Sequence, residues 1–186
     1  ALMLVSSVLG LAKTLLLAAL LGPAAYGQFT IFELLSSYAL TLIGFGIVHG
    51  LKRLLPELMN ANAQRYQVAP LLSSARCVIL LHGLGVLLIC LVFFGVDASG
   101  AVMETGVPFY VYAGVVFGIF LAAFQLELTA IVSRLHYVKF AIFSVLKVFI
   151  ALLFALIFVD RLGLQGALLS EFIAVVSVLA LAYVSL

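Results

Sequence analysis

The sequence predicts an all-α protein, a polytopic membrane bundle of six transmembrane helices, and three observations predict it. Hydrophobic residues make up 67% of the 186 residues and charged residues only 9%, against about 45–50% and about 25% in soluble domains. The apolar residues fall in runs of about twenty or more, the length that crosses about 30 Å of hydrocarbon at about 1.5 Å per helical residue. The polar breaks between those runs are too short to hold a catalytic domain.

The runs place spans at 2–21, 28–51, 71–95, 108–132, 138–159 and 163–186. Gly22-Pro23 and Gly27 bracket a tight turn after the first, Pro70 and Pro108 suit first-turn helix positions, and Asp160-Arg161-Leu162-Gly163 is a short polar break. From about 52 to 67 the composition changes. Lys52, Arg53, Glu57, Asn60, Asn62, Gln64 and Arg65 alternate with leucines at helical spacing, which predicts a short amphipathic helix lying at the membrane surface on the cytoplasmic side. The whole of 1–186 is expected to form one bundle.

Basic residues set the orientation, because positive loops stay in the cytoplasm. With the first span running outward, Lys52, Arg53, Arg65, Arg76, Arg134 and Lys139 fall inside, and Arg161 falls outside beside Asp97, Glu104 and Asp160. Both ends then lie on the cytoplasmic side. Gly46 and Gly50, and again Gly114 and Gly118, stand four apart on one helical face and predict close helix packing. A short echo links Leu21-Gly22-Pro23 with Leu162-Gly163, each at an outer turn.

Five ionisable residues fall inside the expected spans: Lys13, Glu33, Glu127, Lys147 and Glu171. A central charge costs about 2.5–3.5 kcal/mol on the insertion scale, so each should face a polar interior. Lys13 and Glu33 lie at depths that differ by about 5 Å and can pair across a hairpin. Lys147 and Glu171 form a looser second pair, and Glu127 is expected near enough to the cytoplasmic edge to reach water by snorkelling. Two readings stay open for these charges: structural ion pairs that hold the bundle together, or the lining of a water-filled cavity that binds a charged substrate or a coupling ion.

Other chemistry is not indicated. Cys77 and Cys90, thirteen positions apart in one helix, are about 20 Å apart along its axis, cannot bond each other, and are expected to be buried apolar residues. His49, His82 and His136 are scattered, so no metal site and no cofactor is expected. No phosphate loop, serine elbow or zinc pattern occurs, which argues against an enzyme. The basic residues follow topology rather than forming a patch, which argues against nucleic acid. The first apolar run has no basic leader and carries Lys13 in its middle, unlike a signal peptide.

Several stretches together resemble the polysaccharide biosynthesis flippases, the O-antigen and lipid-linked oligosaccharide exporters of the multidrug/oligosaccharidyl-lipid/polysaccharide exporter superfamily. They are Leu20-Leu21-Gly22-Pro23-Ala24-Ala25-Tyr26-Gly27-Gln28-Phe29, then Gly44-Phe45-Gly46-Ile47-Val48-His49-Gly50-Leu51-Lys52-Arg53-Leu54-Leu55-Pro56-Glu57, and the region from Arg134 through Leu146 into Gly163-Leu164-Gln165-Gly166-Ala167. The resemblance covers nearly the whole chain. It implies the N-terminal lobe of a two-lobe transporter of a bacterial or archaeal cytoplasmic membrane, with a second six-helix lobe, in the same full-length chain or a partner chain, beyond residues 1–186. It also implies a polyprenyl-linked sugar substrate bound between the lobes, with Lys13, Lys52, Arg53 and Lys147 as candidates to hold its phosphate charge. Glu33, Glu127 and Glu171 are the matching candidates for ion coupling or ion pairing. A cation-coupled multidrug antiporter of the same superfamily, and a non-transporting membrane scaffold for polysaccharide assembly, are the alternatives.

Overall fold

The computed structural model describes residues 2–44, 46–60, 68–95 and 107–185, with side chains described for 4–44, 46–55, 69–92 and 109–185. Among the described residues every regular element is helical: α1 (Leu2–Gly44), α2 (Ile47–Asn60), α3 (Val68–Gly95), α4 (Val107–Ser133), α5 (Tyr137–Leu162) and α6 (Leu164–Val184). Five of these, all but α2, contain stretches long and apolar enough to cross a membrane.

The first of the five is two arms. A straight helix of 43 residues would be about 65 Å long, twice the hydrocarbon thickness. Gly22 interrupts it with φ 72 and ψ 170, a backbone conformation open to glycine and strained for other residues. Helix resumes at once with Pro23, whose fixed φ suits a first helical position. The chain reverses there: Lys13 Nζ lies 6.0 Å from the centroid of the Phe29 ring, although sixteen residues of straight helix would separate the two by about 24 Å. α1 therefore supplies two spans, residues 2–21 and 23–44. The expected turn from Gly22 to Gly27 is thus corrected to a single residue, with Gly27 inside the second arm.

The expected second span, 28–51, also ends early. Helix stops at Gly44, Gly46 takes φ 76, and α2 begins at Ile47. The amphipathic segment consequently starts five residues before Lys52; of its expected length, 61–67 lie outside the described residues, as do the side chains of Glu57 and Asn60. Its apolar side, Val48, Leu51 and Leu55, is buried where α2 packs on α4 and α3, and Lys52, Arg53 and Leu54 are exposed. Asp97, Glu104 and the connection at 96–106 also lie outside the described residues. Pro70 and Pro108 occupy the first turns of α3 and α4 as expected.

Contacts divide the chain into two compact units, Ala1–Thr30 with Leu135–Leu186, and Ile31–Arg134. In the first unit α5 and α6 form a hairpin, joined through Gly163 at φ 54. Gly166 makes the hairpin close, since a Cβ there would collide with the Phe158 backbone.

In the second unit α4 is the central helix, with 61% of its apolar window buried against 17% for α3. Gly114 and Gly118 admit the second arm of α1: added Cβ atoms would stand 3.0 Å from Leu35 Cβ and 2.5 Å from Ala39 Cβ. Four residues of α4 match four of α1 in the same direction, so these two helices run parallel. Phe32 and Phe117 seal the same seam at 5.3 Å between ring centroids. On α3, a Cβ at Gly83 would lie 2.6 Å from Ile119 Cγ1. The Gly114/Gly118 expectation is borne out. The Gly46/Gly50 one is corrected: Gly46 serves the turn, and among the described residues a Cβ on Gly50 would meet nothing within 4 Å.

Hydroxyl groups within the spans are returned to the backbone, as hydrocarbon requires. Ser36 donates to the Phe32 carbonyl at 2.7 Å, Thr30 to Tyr26 at 3.0 Å and Ser144 to Phe140 at 2.9 Å. Leu4, Leu11, Leu15, Leu84 and Leu88, by contrast, are more than half exposed, an outer surface suited to lipid and not to water.

Gly118→Val should lower the stability of the purified, detergent-solubilised protein by about 1–3 kcal/mol, because the branched side chain has no room against Ala39. Gly50→Ala should leave it unchanged or raise it by about 0.5–1 kcal/mol, since open space surrounds that helical glycine. Thermal unfolding of the two variants checks both.

Candidate functional site

The charges inside the spans are assembled by matched depth. Lys13 lies nine residues before the Gly22 turn and Glu171 eight residues after the Gly163 turn, so each is about 12–14 Å from its own reversal. The two side chains meet: Lys13 Nζ donates to Glu171 Oε1 at 2.6 Å. Side-chain exposure is 15% for the lysine and 4% for the glutamate. The ammonium is also stacked over Phe29, where an aromatic face adds attraction. Within its unit Lys13 therefore contacts Glu171, a pairing that matching depths along the two hairpins allow. Glu33 is exposed and belongs to the second unit, and Lys147, expected opposite Glu171, is half-buried on α5.

The second unit holds an ion pair of its own. Glu127 does not reach outward, which corrects the snorkelling expectation: it is 2% exposed. Arg76 of α3 comes to it, with Nε on Oε1 at 2.7 Å and Nη2 on Oε2 at 2.9 Å. This two-pronged geometry satisfies both carboxylate oxygens and suits a guanidinium rather than an ammonium. Seven residues further along α3, Gly83 meets Ile119, eight residues earlier in α4, so the two helices run antiparallel and hold the pair in register. Sequence reasoning treated Arg76 only as a cytoplasmic charge. The available signal was its position several residues inside an apolar run, where a cation needs a partner as much as Lys13 does.

A cleft of about 280 Å³ opens in the second unit where α1 gives way to α2, lined by Leu40, Thr41, Gly44, Val48, His49, Lys52 and Gln125. Lys52 and His49 are three apart on α2 and share its exposed face. Arg53, next to Lys52, is exposed as well but is not part of the lining. Cys77 is exposed rather than buried and Cys90 is half-buried, both as free thiols; Cys77 lies on the outward side of α3, with Val78, Leu80 and Leu81. Among the described residues no group of three His, Cys, Asp or Glu side chains has metal-binding geometry.

Compared with protein-family models, with curated proteins and with solved structures, the chain matches none. The fold and these charges define an α-helical, multi-pass membrane protein whose described residues include the Lys13–Glu171 and Arg76–Glu127 ion pairs.

Arg76→Gln should destabilise the protein by about 3–5 kcal/mol, because it strands Glu127 as a buried charge. The pair replacement Arg76→Met with Glu127→Leu should recover most of that loss. Unfolding midpoints of the single and double variants, measured in the same detergent, test this.

Proposed function

We propose that the chain is a transporter lobe that moves lipid-linked oligosaccharide or polysaccharide precursors across the cytoplasmic membrane by alternating access. The sequence resemblance around Gly22-Pro23 and Gly46–Glu57 suggests the family. The observation that carries the reading is the Lys13–Glu171 pair: a cation at mid-depth turned into the bundle, on a carboxylate, and not out among apolar side chains. A phosphate-sugar headgroup cannot cross hydrocarbon at a useful rate, because its charge must leave water. A lysine whose counter-ion is a carboxylate offers an exchange. The arriving phosphate takes the ammonium from Glu171, and the released carboxylate binds a proton or a metal cation, so that net charge at the site is conserved. Rocking of two lobes about such a site exposes it first to one side and then to the other.

The same pair favours one second reading, a cation-coupled antiporter, in which an organic cation displaces Lys13 from Glu171. The residue that matters most differs between the two. In the saccharide-lipid reading Lys13→Met lowers export about 10–100-fold, the value of a lost charge-assisted contact of about 1.5–3 kcal/mol. In the antiporter reading Glu171→Gln is the more damaging change for transport, because Lys13→Met leaves the carboxylate that binds the cation.

The decisive measurement is export of a lipid-linked sugar, with membrane levels of each variant quantified alongside. Lys13→Met combined with Glu171→Gln removes both charges of this pair together, so a double variant that reaches the membrane at wild-type level should still fail to export. Wild-type export from that double variant would make the pair purely structural and end the transport reading of these residues.

A further inference from the structure

The cleft at the α1–α2 junction has a chemistry that the ion pairs do not use. Lys52 brings a cation, His49 a ring N–H and Gln125 an amide, from two helices, while Leu40 and Val48 supply apolar wall. The Thr41 hydroxyl is already spent on the Ser37 carbonyl at 2.9 Å, which leaves those three as the donors. Among the described residues the lining holds no carboxylate, and the first turn of α2 carries no acidic residue either. The sign of the occupant is therefore negative, helped by the first N–H groups of α2, which face the same junction.

We propose that this cleft holds the headgroup of an anionic glycerophospholipid of the surrounding bilayer. Three observations select a lipid over a soluble anion. The cleft sits where an apolar span ends at Gly44 and an amphipathic helix begins, the level at which headgroups lie. Its volume, about 280 Å³, falls just below the about 300–1,000 Å³ of sites that enclose a whole drug-sized ligand, as expected where only a headgroup enters. Tyr38 and Leu42, one turn apart on α1 and flanking Thr41, are 62% and 57% exposed, and so offer acyl chains a path away from the cleft. Zwitterionic choline lipids fit less well, because among the described residues the lining offers no carboxylate to receive the quaternary ammonium. The assignment gives Lys52 to a resident lipid and stands whether or not the chain transports saccharide lipids.

Lipid titrations of the purified protein, read by native mass spectrometry and by thermal shift, test the assignment with four probes: phosphatidylglycerol, phosphatidylcholine, inorganic phosphate and a polyprenyl phosphate. Phosphatidylglycerol should bind wild type at least fivefold more tightly than phosphatidylcholine. Lys52→Gln should weaken it about fivefold, the equivalent of about 1 kcal/mol per basic residue at a membrane surface. Lys139→Gln, at an exposed cation outside the cleft, should leave binding unchanged, and Gln125→Leu should reduce it without altering the charge. Equal loss in Lys52→Gln and Lys139→Gln would overturn the site in favour of diffuse surface charge. Displacement of phosphatidylglycerol by millimolar inorganic phosphate would overturn the lipid assignment, and tighter Lys52-dependent binding of polyprenyl phosphate would reassign the cleft to a transported lipid.

Discussion

Two carboxylates, Glu127 and Glu171, are almost completely withdrawn from their surroundings, and much of the arrangement follows from the need to match them. An ionised carboxylate in a medium that cannot solvate it is tolerated only with a cation and hydrogen bonds at hand. Each unit meets that need differently. In one, an ammonium donates to a carboxylate oxygen at 2.6 Å and rests on an aromatic ring; in the other, a planar guanidinium closes on both oxygens. An ammonium is a point charge and a guanidinium a planar fork, so the second contact is the more directional of the two.

Glycine has two distinct jobs in this chain. At Gly22, Gly46 and Gly163 it supplies a positive φ that ends one helix and begins the next within one or two residues. At Gly83, Gly114 and Gly118 it removes a side chain so that α4 can approach α3 and the second arm of α1. At Gly50 it does neither. The sequence pattern of two glycines four apart is the same for Gly46/Gly50 and Gly114/Gly118, so spacing alone could not separate a turn from a packing seam. Helix continuity on both sides of the second pair does so.

The spans, the breaks at Pro23, Pro70, Pro108 and Gly163 and the amphipathic character of the segment after Gly46 were legible in the sequence because each depends on local composition. The contact of Lys13 with Glu171 was not, because it depends on which helices are neighbours and on rotation about each axis, where one residue turns a side chain by about 100°. Depth narrows the candidates and cannot rank them. Arg76 was misjudged for a related reason: a span boundary drawn at 71 left it near the edge, whereas helix from Val68 carries it two turns inside. α2 was legible as amphipathic, yet its apolar side faces α3 and α4 rather than acyl chains, since hydrophobic periodicity reports that a face is covered and not by what.

The reversal at Gly22 bears on how the protein is made. With one residue between arms, the two arms of 2–44 can pair as soon as both are in the bilayer, with no connecting loop to order. Once they pair, the Lys13 ammonium has Phe29 of the following arm beside it. Biogenesis and architecture thus share a single glycine.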